Sequence, residues 1–265
     1  VGYYPGCVDY LDQEMVFSHV NEGEMNLGDA TTSAFTIFDE IGVDVSYLGR
    51  DFLKCCGHDQ KWQGLTEVFD KLKAYNQKKI QQSGIDTLVS SCAECFRTFA
   101  RDYELEDVKV MHTTEFLIEQ GFDMNLKVEE ETTVTYHDPC RLGRQMGIYE
   151  EPRELIQSVE GVSIVEMEHS GEDAMCCGVS SMMSCNENAR ALRVARMEEI
   201  KSTGADTMLT SCPKCVSHFE CLKFEGDERY SDIKILDVVS FLAQQINEKK
   251  EKIGQESIKT IETEA

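Results

Sequence analysis

The sequence predicts an α/β fold built as two duplicated Rossmann-like βαβ units with parallel sheets, and three observations carry that expectation. Short runs rich in β-branched residues alternate with segments of helical periodicity, the pattern of βαβ units. The second half repeats the first: Ser83 to Phe99 lies over Thr203 to Phe219 at an offset of 120, with seven of seventeen positions identical. Ten of the twelve cysteines fall into two sets of the same order. These are Cys7, Cys55-Cys56-Gly57 and Cys92-x-x-Cys95, then Cys140, Cys176-Cys177-Gly178 and Cys212-x-x-Cys215.

Taken in order, the first unit reads as a short strand at 2–4, a helix over 30–41 and a strand over 43–48 running toward Cys55. A helix follows over 65–82, with apolar Leu65, Val68, Phe69, Leu72 and Tyr75 at helical spacing and Gly84 as its C-cap. A buried strand at 87–89, a short helix at 95–101, a strand at 108–111 and a helix at 114–120 complete the unit. The second unit answers with a strand at 133–136, a helix at 152–159 with Pro152 in its first turn, and a strand at 163–167. Then come a helix at 188–202, a strand at 207–209, a helix from Lys214, a strand at 233–236 and a helix to about Ile246. The polar stretch Asn125 to Glu131 suggests a boundary, giving units 1–127 and 128–247 and a charged tail over 248–265 that reads as a frayed helix or solvated segment.

The spacing between Cys7 and Cys55 is 47 residues, against 35 between Cys140 and Cys176. The first unit therefore carries an insertion of 12, most simply placed in the acidic, methionine-bearing stretch from Leu11 to Leu27.

A chain of 265 residues with 41% hydrophobic residues can fill ordinary cores, so it is expected to be globular. The formal charge of -23 excludes a nucleic-acid partner and fits a solvated acidic surface. Any anionic ligand would have to meet a local basic pocket. No apolar run approaches the roughly 18 residues of a membrane span, and there is no signal-peptide pattern. The expectation is a cytoplasmic chain, reaching a membrane only through a partner. Its first residue, Val1, implies processing or a piece of a longer protein.

Twelve cysteines in such a chain suit metal ligation better than disulfides. Cys7, Cys92, Cys140 and Cys212 each follow an apolar strand, where open parallel sheets hold their ligands, and Cys95 and Cys215 begin helices whose free N–H groups stabilise thiolates. Zinc is one alternative, since Cys-x-x-Cys is half of many zinc sites, but a tetrahedral ion needs four ligands and each set offers five. Adjacent cysteines on an extended segment point in opposite directions, which suits a larger inorganic core better than one ion. Glycine after the pair would remove a Cβ from the path of that core. Iron-sulfur clusters fit these spacings; four thiolates satisfy a cubane, so five imply a non-cubane cluster or a spare thiol.

Cys185 and Cys221 lie outside the pattern and read as small buried hydrophobes. The six histidines show no metal-ligand spacing and read as structural, with His58 and His218 singled out because each lies near a ligand cysteine. The Met182-Met183 pair and the methionines of the insertion read as ordinary packing. Lys54, Arg141, Arg144 and Lys214 form a basic cluster against the acidic background. With His218 they are candidates to receive an anionic substrate; equally, they would balance the charge of a metal core.

The doubled pattern, with 35 and 34 residues between the double cysteines and the Cys-x-x-Cys, resembles the CCG-domain family and within it the catalytic subunits of heterodisulfide reductase. Tyr136 to Arg144, Tyr149 to Arg153 and Cys176 to Gly178 resemble the D-type subunit, and the resemblance covers residues 1 to about 245. D-type subunits carry an additional ferredoxin-like domain, which nothing here resembles; the length is nearer the B-type. The resemblance implies two non-cubane [4Fe-4S] clusters, one per unit, facing each other across a pseudo-twofold axis, with all ten patterned cysteines as ligands. The clusters themselves would be catalytic, cleaving the disulfide of coenzyme M and coenzyme B by two electrons. Partners would be other redox subunits of ferredoxin, flavin or cytochrome type. Two further functions stay open: an iron-sulfur electron-transfer subunit of a flavin-dependent glycolate, lactate or glycerol-phosphate dehydrogenase, and a zinc-bound assembly scaffold.

Overall fold

The structure, a computed structural model, describes residues 1–8, 29–179, 186–224 and 228–264, with side chains up to residue 255 except that of 224. The insertion at Leu11 to Leu27, His19, Met182, Met183 and Cys185 lie outside the described residues.

Two four-stranded, all-parallel sheets form the frame, as the alternating pattern predicts. The first comprises β1 (Gly2–Tyr3), β2 (Ser46–Tyr47), β3 (Thr87–Ser90) and β4 (Lys109–His112) in the order β2-β1-β3-β4. The second comprises β5 (Lys127–His137), β6 (Glu160–Ile164), β7 (Thr207–Thr210) and β8 (Lys234–Asp237) in the order β6-β5-β7-β8. The repeat in sequence is thus a repeat in topology. In each sheet the strand order reverses between the first and third strands, the switch point at which open α/β sheets expose a crevice.

The helices of the first half are α1 (Asp29–Glu40), α2 (His58–Trp62), α3 (Thr66–Ser83), α4 (Ala93–Asp102) and α5 (Thr113–Glu119). Those of the second are α6 (Gly143–Met146), α7 (Glu150–Gln157), α8 (Glu187–Ser202), α9 (Pro213–Phe224) and α10 (Val238–Glu264). Gly84 closes α3 with φ 69, the left-handed cap expected of it. The two short helices α2 and α6 have no counterpart in the sequence reading, because five and four residues are too few to show a period.

Several boundaries move for identifiable reasons. β6 lies three residues earlier than expected, and β5 begins at Lys127, extending into the polar stretch Asn125 to Glu131. Its early half pairs with β6 through a register shift between Lys127 and Thr132, which lets exposed Glu129 to Glu131 sit on a strand edge. α10 continues past Ile246 to Glu264. Lys249 Nζ donates to the Met124 carbonyl at 2.7 Å, and Lys250 and Lys252 pair with Glu40 and Glu129, so the lysines hold the helix against the body.

The buried face of α3 differs from its apolar stripe. Leu65 beside the helix, and Val68 and Tyr75 on it, are exposed, whereas Phe69, Asn76 and Ile80 are buried. Burial there follows the hydrogen-bonding work of Asn76, described below, rather than hydrophobicity alone. One hydrophobic core unites the halves: Ala34, Ile37 and Phe38 of α1 and Phe116 and Leu117 of α5 pack with Leu155 and Ile156 of α7 and Val239, Leu242 and Ile246 of α10. Further cores lie on the opposite face of each sheet, around Phe99 in the first half and Phe219 in the second.

Candidate metal centre

Sheet topology explains why the sulfurs meet. Cys7 and Cys92 follow β1 and β3, neighbours at the switch point, and Cys140 and Cys212 follow β5 and β7 in the same way. Cys92 caps the N-terminus of α4, and Cys212 immediately precedes Pro213, the first residue of α9. Cys95 and Cys215 therefore sit in the third helical position rather than at the helix start. The double cysteines arrive from loops, 54–57 and 174–177.

All ten thiols are free, and they line up as a single row of side-chain neighbours. From the open end of the second half it runs Cys140, Cys176, Cys177, Cys215 and Cys212, then Cys92, Cys95, Cys56, Cys55 and Cys7 in the first. Cys56 to Cys95 and Cys177 to Cys215 are 3.3 Å between sulfurs in each half. The two sets adjoin at Cys92 and Cys212. Adjacent cysteines do not diverge as an extended segment would require: each pair lies in a loop, and its two sulfurs are neighbours. Cys7, Cys55, Cys140 and Cys176 are half-buried, while the other six are buried.

The glycine after each pair serves a different end from the one expected. Gly57 and Gly178 take φ 82 and 90, and their N–H groups donate to Cys55 Sγ and Cys176 Sγ, both at 3.4 Å. A Cβ at Gly57 would meet Phe69 Cδ2 at 2.7 Å, and one at Gly178 would meet the Ala189 carbonyl oxygen at 2.5 Å, so the obstacle is the following helix rather than a metal core. Gly6, with φ 87, brings the chain so near the thiols that a Cβ would lie 2.8 Å from Cys92 Cβ.

Charge is shared unevenly along the row. Hydrogen bonds from Cys56 and Cys7 draw the Cys55 thiol down to about 3, and those from Cys215 and Cys92 hold Cys212 well below its usual value. The Cys55 bond raises Cys7 to about 12, and Cys56, Cys92, Cys95, Cys177 and Cys215 are pushed up chiefly by neighbouring thiols. Most of these sulfurs thus bind a proton that a metal core would displace. A donor set of sulfur alone, five per half and largely buried, fits an iron-sulfur cluster.

A cavity of about 250 Å³ opens on the second set, lined by Cys140, Cys176, Cys177, Cys212 and Cys215, and by Arg141, Arg144 and Glu94. The Arg141 guanidinium lies 3.8 Å from the centre of the Trp62 ring, and Arg144 donates to the carbonyl oxygens of Glu172 and Ala174. Lys214 is buried and ion-paired across the halves, 2.5 Å from Glu94 and 2.7 Å from Asp59. Burial opposes its charge, but Glu94, Cys7 and Asp59 hold it well above the usual lysine range, while burial raises Glu94 to about 7. Lys54 is exposed, its Nζ turned to the Arg50 carbonyl. His218 is buried and bonded to the backbone of Cys177; burial lowers it to about 4. His58, lowered to about 3 first by burial, bonds Thr98 and faces Glu94 at 3.6 Å. Cys221 is half-buried on α9 rather than buried.

The residues that position the first double cysteine escaped sequence reasoning. Asn76 accepts the Lys54 N–H at 2.8 Å and donates to the carbonyl oxygens of Lys54 and Cys55, both at 3.1 Å, while Tyr103 donates to the Cys56 carbonyl at 3.0 Å. A polar residue on the core-facing side of a helix is the one signal Asn76 offers. In the second half the segment before Cys140 is anchored by Arg153, which grips Asp138 with both terminal nitrogens at 2.8 and 2.9 Å.

Among curated proteins, the chain is 33% identical over 78% of its length to the D-type subunit of the dihydromethanophenazine:CoB–CoM heterodisulfide reductase of Methanosarcina acetivorans. It is 29% identical over 91% of its length to the B-type subunit of the fumarate reductase (CoM/CoB) of Methanothermobacter marburgensis, and 28% identical over 83% to the iron-sulfur-binding oxidoreductase FadF of Bacillus subtilis. The chain spans about half of the first two relatives, 53% and 45%, and 32% of the third. Likeness to solved structures is slight, with a TM-score of 0.36 and 14% identity to an aspartate racemase of Picrophilus torridus over 92% of this chain and 90% of that one. Among the described residues no helix is long and apolar enough to cross a membrane. A family model for the CCG cysteine-rich domain matches residues 1–100 and 134–220, and the chain belongs to that family.

Proposed function

We propose that this chain reduces a heterodisulfide of the coenzyme M–coenzyme B type by two electrons, between two non-cubane [4Fe-4S] clusters held by the two cysteine sets, as part of a redox complex. The observation that supports this reading above others is the meeting of the two sets at Cys92 and Cys212 beneath a cavity. Clusters bound there would supply the electrons that turn one disulfide into two thiolates. The chain's own contribution is to bind and orient. Arg141, stacked on Trp62, and Arg144 present guanidinium groups at the cavity for an anionic tail. Lys214, Glu94 and Asp59 lock the two halves together with nearly balanced charge where the sets adjoin.

The experiment is purification without oxygen, assay of iron and sulfide, and addition of the heterodisulfide with a reduced viologen dye. Turnover supports the proposal, and a protein loaded with zinc removes it.

A second reading is electron relay for a flavin-dependent dehydrogenase. It is favoured by the pairing of Lys214, which leaves little of its charge for a substrate, and by the similarity to FadF and to an EtfAB:quinone oxidoreductase of Syntrophomonas wolfei at 26% identity. Intact clusters with no turnover of the heterodisulfide would support it.

A further inference from the structure

We infer that His137 donates its Nε2 proton to the sulfur core of the second cysteine set and so makes that core the easier of the two to reduce. The inference rests on the reading that each set holds an iron-sulfur cluster.

A ring nitrogen of His137 lies within 4.8 Å of both Cys177 Sγ and Cys215 Sγ. Distance alone would allow His137 to be a metal ligand. Arg196 decides otherwise. Its Nε–H donates to His137 Nδ1 at 3.1 Å, and a guanidinium does not give up its proton, so Nδ1 must present a lone pair. The imidazole proton is then on Nε2, where a lone pair would be needed for ligation.

The arrangement is rigid. Arg196 is fully buried on α8 and held by Glu199 and by the His169 carbonyl at 2.7 Å. Phe219 packs edge to face on the imidazole with ring centres 5.0 Å apart. Nε2 is buried without a hydrogen-bond partner in the protein. A dry N–H that close to a cluster of thiols is a donor waiting for a thiolate or sulfide acceptor.

The first half has no equivalent. The residue three before Cys7, matching His137 before Cys140, is Tyr4, and its hydroxyl donates to the Lys54 carbonyl at 3.0 Å. Asn76 on the matching helix is neutral and spends its amide on Lys54, Cys55 and Tyr103. Lys214, between the sets, is neutralised by Glu94 and Asp59. An added electron sits partly on cluster sulfur, and both an N–H dipole and a cation behind it stabilise that electron. Only the second core receives the pair.

The test uses the full chain, purified without oxygen and labelled with 15N-histidine. Iron and sulfide are assayed first: their absence refutes the underlying cluster reading, whereas their presence isolates the role of His137. Pulsed EPR of the reduced protein should then show, on one cluster signal, a weak 15N coupling and a proton coupling lost in D2O. A strong 15N coupling, as from a direct ligand, or none at all, overturns the inference. In a mediated redox titration the two signals should separate, His137→Leu should shift only the higher potential downward, and His137→Gln, which keeps an N–H, should restore part of it. Unchanged potentials in an iron-loaded His137→Leu protein overturn it equally. If His137→Leu fails to hold iron, the couplings of the unsubstituted protein decide.

Discussion

Around the first cysteine set the chain places Tyr4, Phe99 and Tyr103, with the neutral amide of Asn76 clamping the double cysteine; around the second it places His137, Arg193 and Arg196. The sulfurs occupy matching stations on sheets of identical strand order, so backbone topology cannot account for the contrast. What differs is the sign of the buried surroundings: uncharged in one half, cationic in the other. Duplication fixed where sulfurs stand, and later substitution at helix positions such as Tyr75 against Arg196 was free to set how each half treats charge.

The most drastic way to test the equivalence of the halves is to empty one of them. Cys56→Ala and Cys177→Ala each remove a buried thiol from one set. If the sets act separately, each variant should retain roughly half of the iron, read by chemical assay, since a cluster short of a ligand is lost. Complete loss in either variant would mean one shared assembly.

Next in size is the ion pair that joins the halves. Lys214→Ala leaves Glu94 buried without its counter-ion, which should cost about 3–5 kcal/mol, with Asp59 adding little because it is partly exposed. Adding Glu94→Gln should recover a good part of that loss in a denaturant titration. A Lys214→Ala protein as stable as the parent would show the halves to be held by the apolar core alone.

The features of this design were unevenly visible in the chain. The alternation of strands and helices and the ten sulfur stations are local patterns, and they carry through to the structure. The clamp by Asn76 is not local: it needs α3 packed beside the loop 54–57, and an apolar count therefore chose the wrong face, with Val68 and Tyr75 exposed. Glu94 and Lys214 occupy the same position of the two Cys-x-x-Cys motifs, yet their pairing depends on how two units dock, which no spacing encodes. Arg196 and His137 are 59 positions apart and on different elements, so their contact had no sequence signal.

Gly57 and Gly178 offer a finer comparison. Both need a left-handed backbone, so alanine at either costs about 1–2 kcal/mol in conformation. At Gly57 the new Cβ meets the edge of a Phe69 ring, which can turn; at Gly178 it meets the backbone of α8 at Ala189, which cannot. Gly178→Ala should therefore lose a further 1–3 kcal/mol or so by overpacking, seen as the lower denaturant midpoint of the two. Equal midpoints would mean that α8 yields as readily as a side chain.

The ends of β4 and β8 make the subtlest pair. His112 and Asp237 hold matching positions, and each accepts a backbone N–H of the helix that follows, from Thr114 at 3.2 Å and Val239 at 2.9 Å. Burial keeps both neutral, lowering His112 to about 4 and raising Asp237 to about 8. The signs are opposite. The folded state holds the Asp237 proton more tightly than the unfolded chain, so stability falls as pH rises from about 4 to about 8. It holds a proton on His112 less tightly, so stability falls as pH drops from about 6.5 to about 4. Asp237→Asn, which keeps the acceptor for Val239, should gain on the parent with rising pH, and His112→Asn should gain with falling pH. Each slope is at most on the order of 1 kcal/mol per pH unit in urea titrations across that range. Parallel stability curves for either variant and the parent would mean that the group in question ionises alike in the folded and unfolded chain, and that the two halves do not differ in how they tolerate pH.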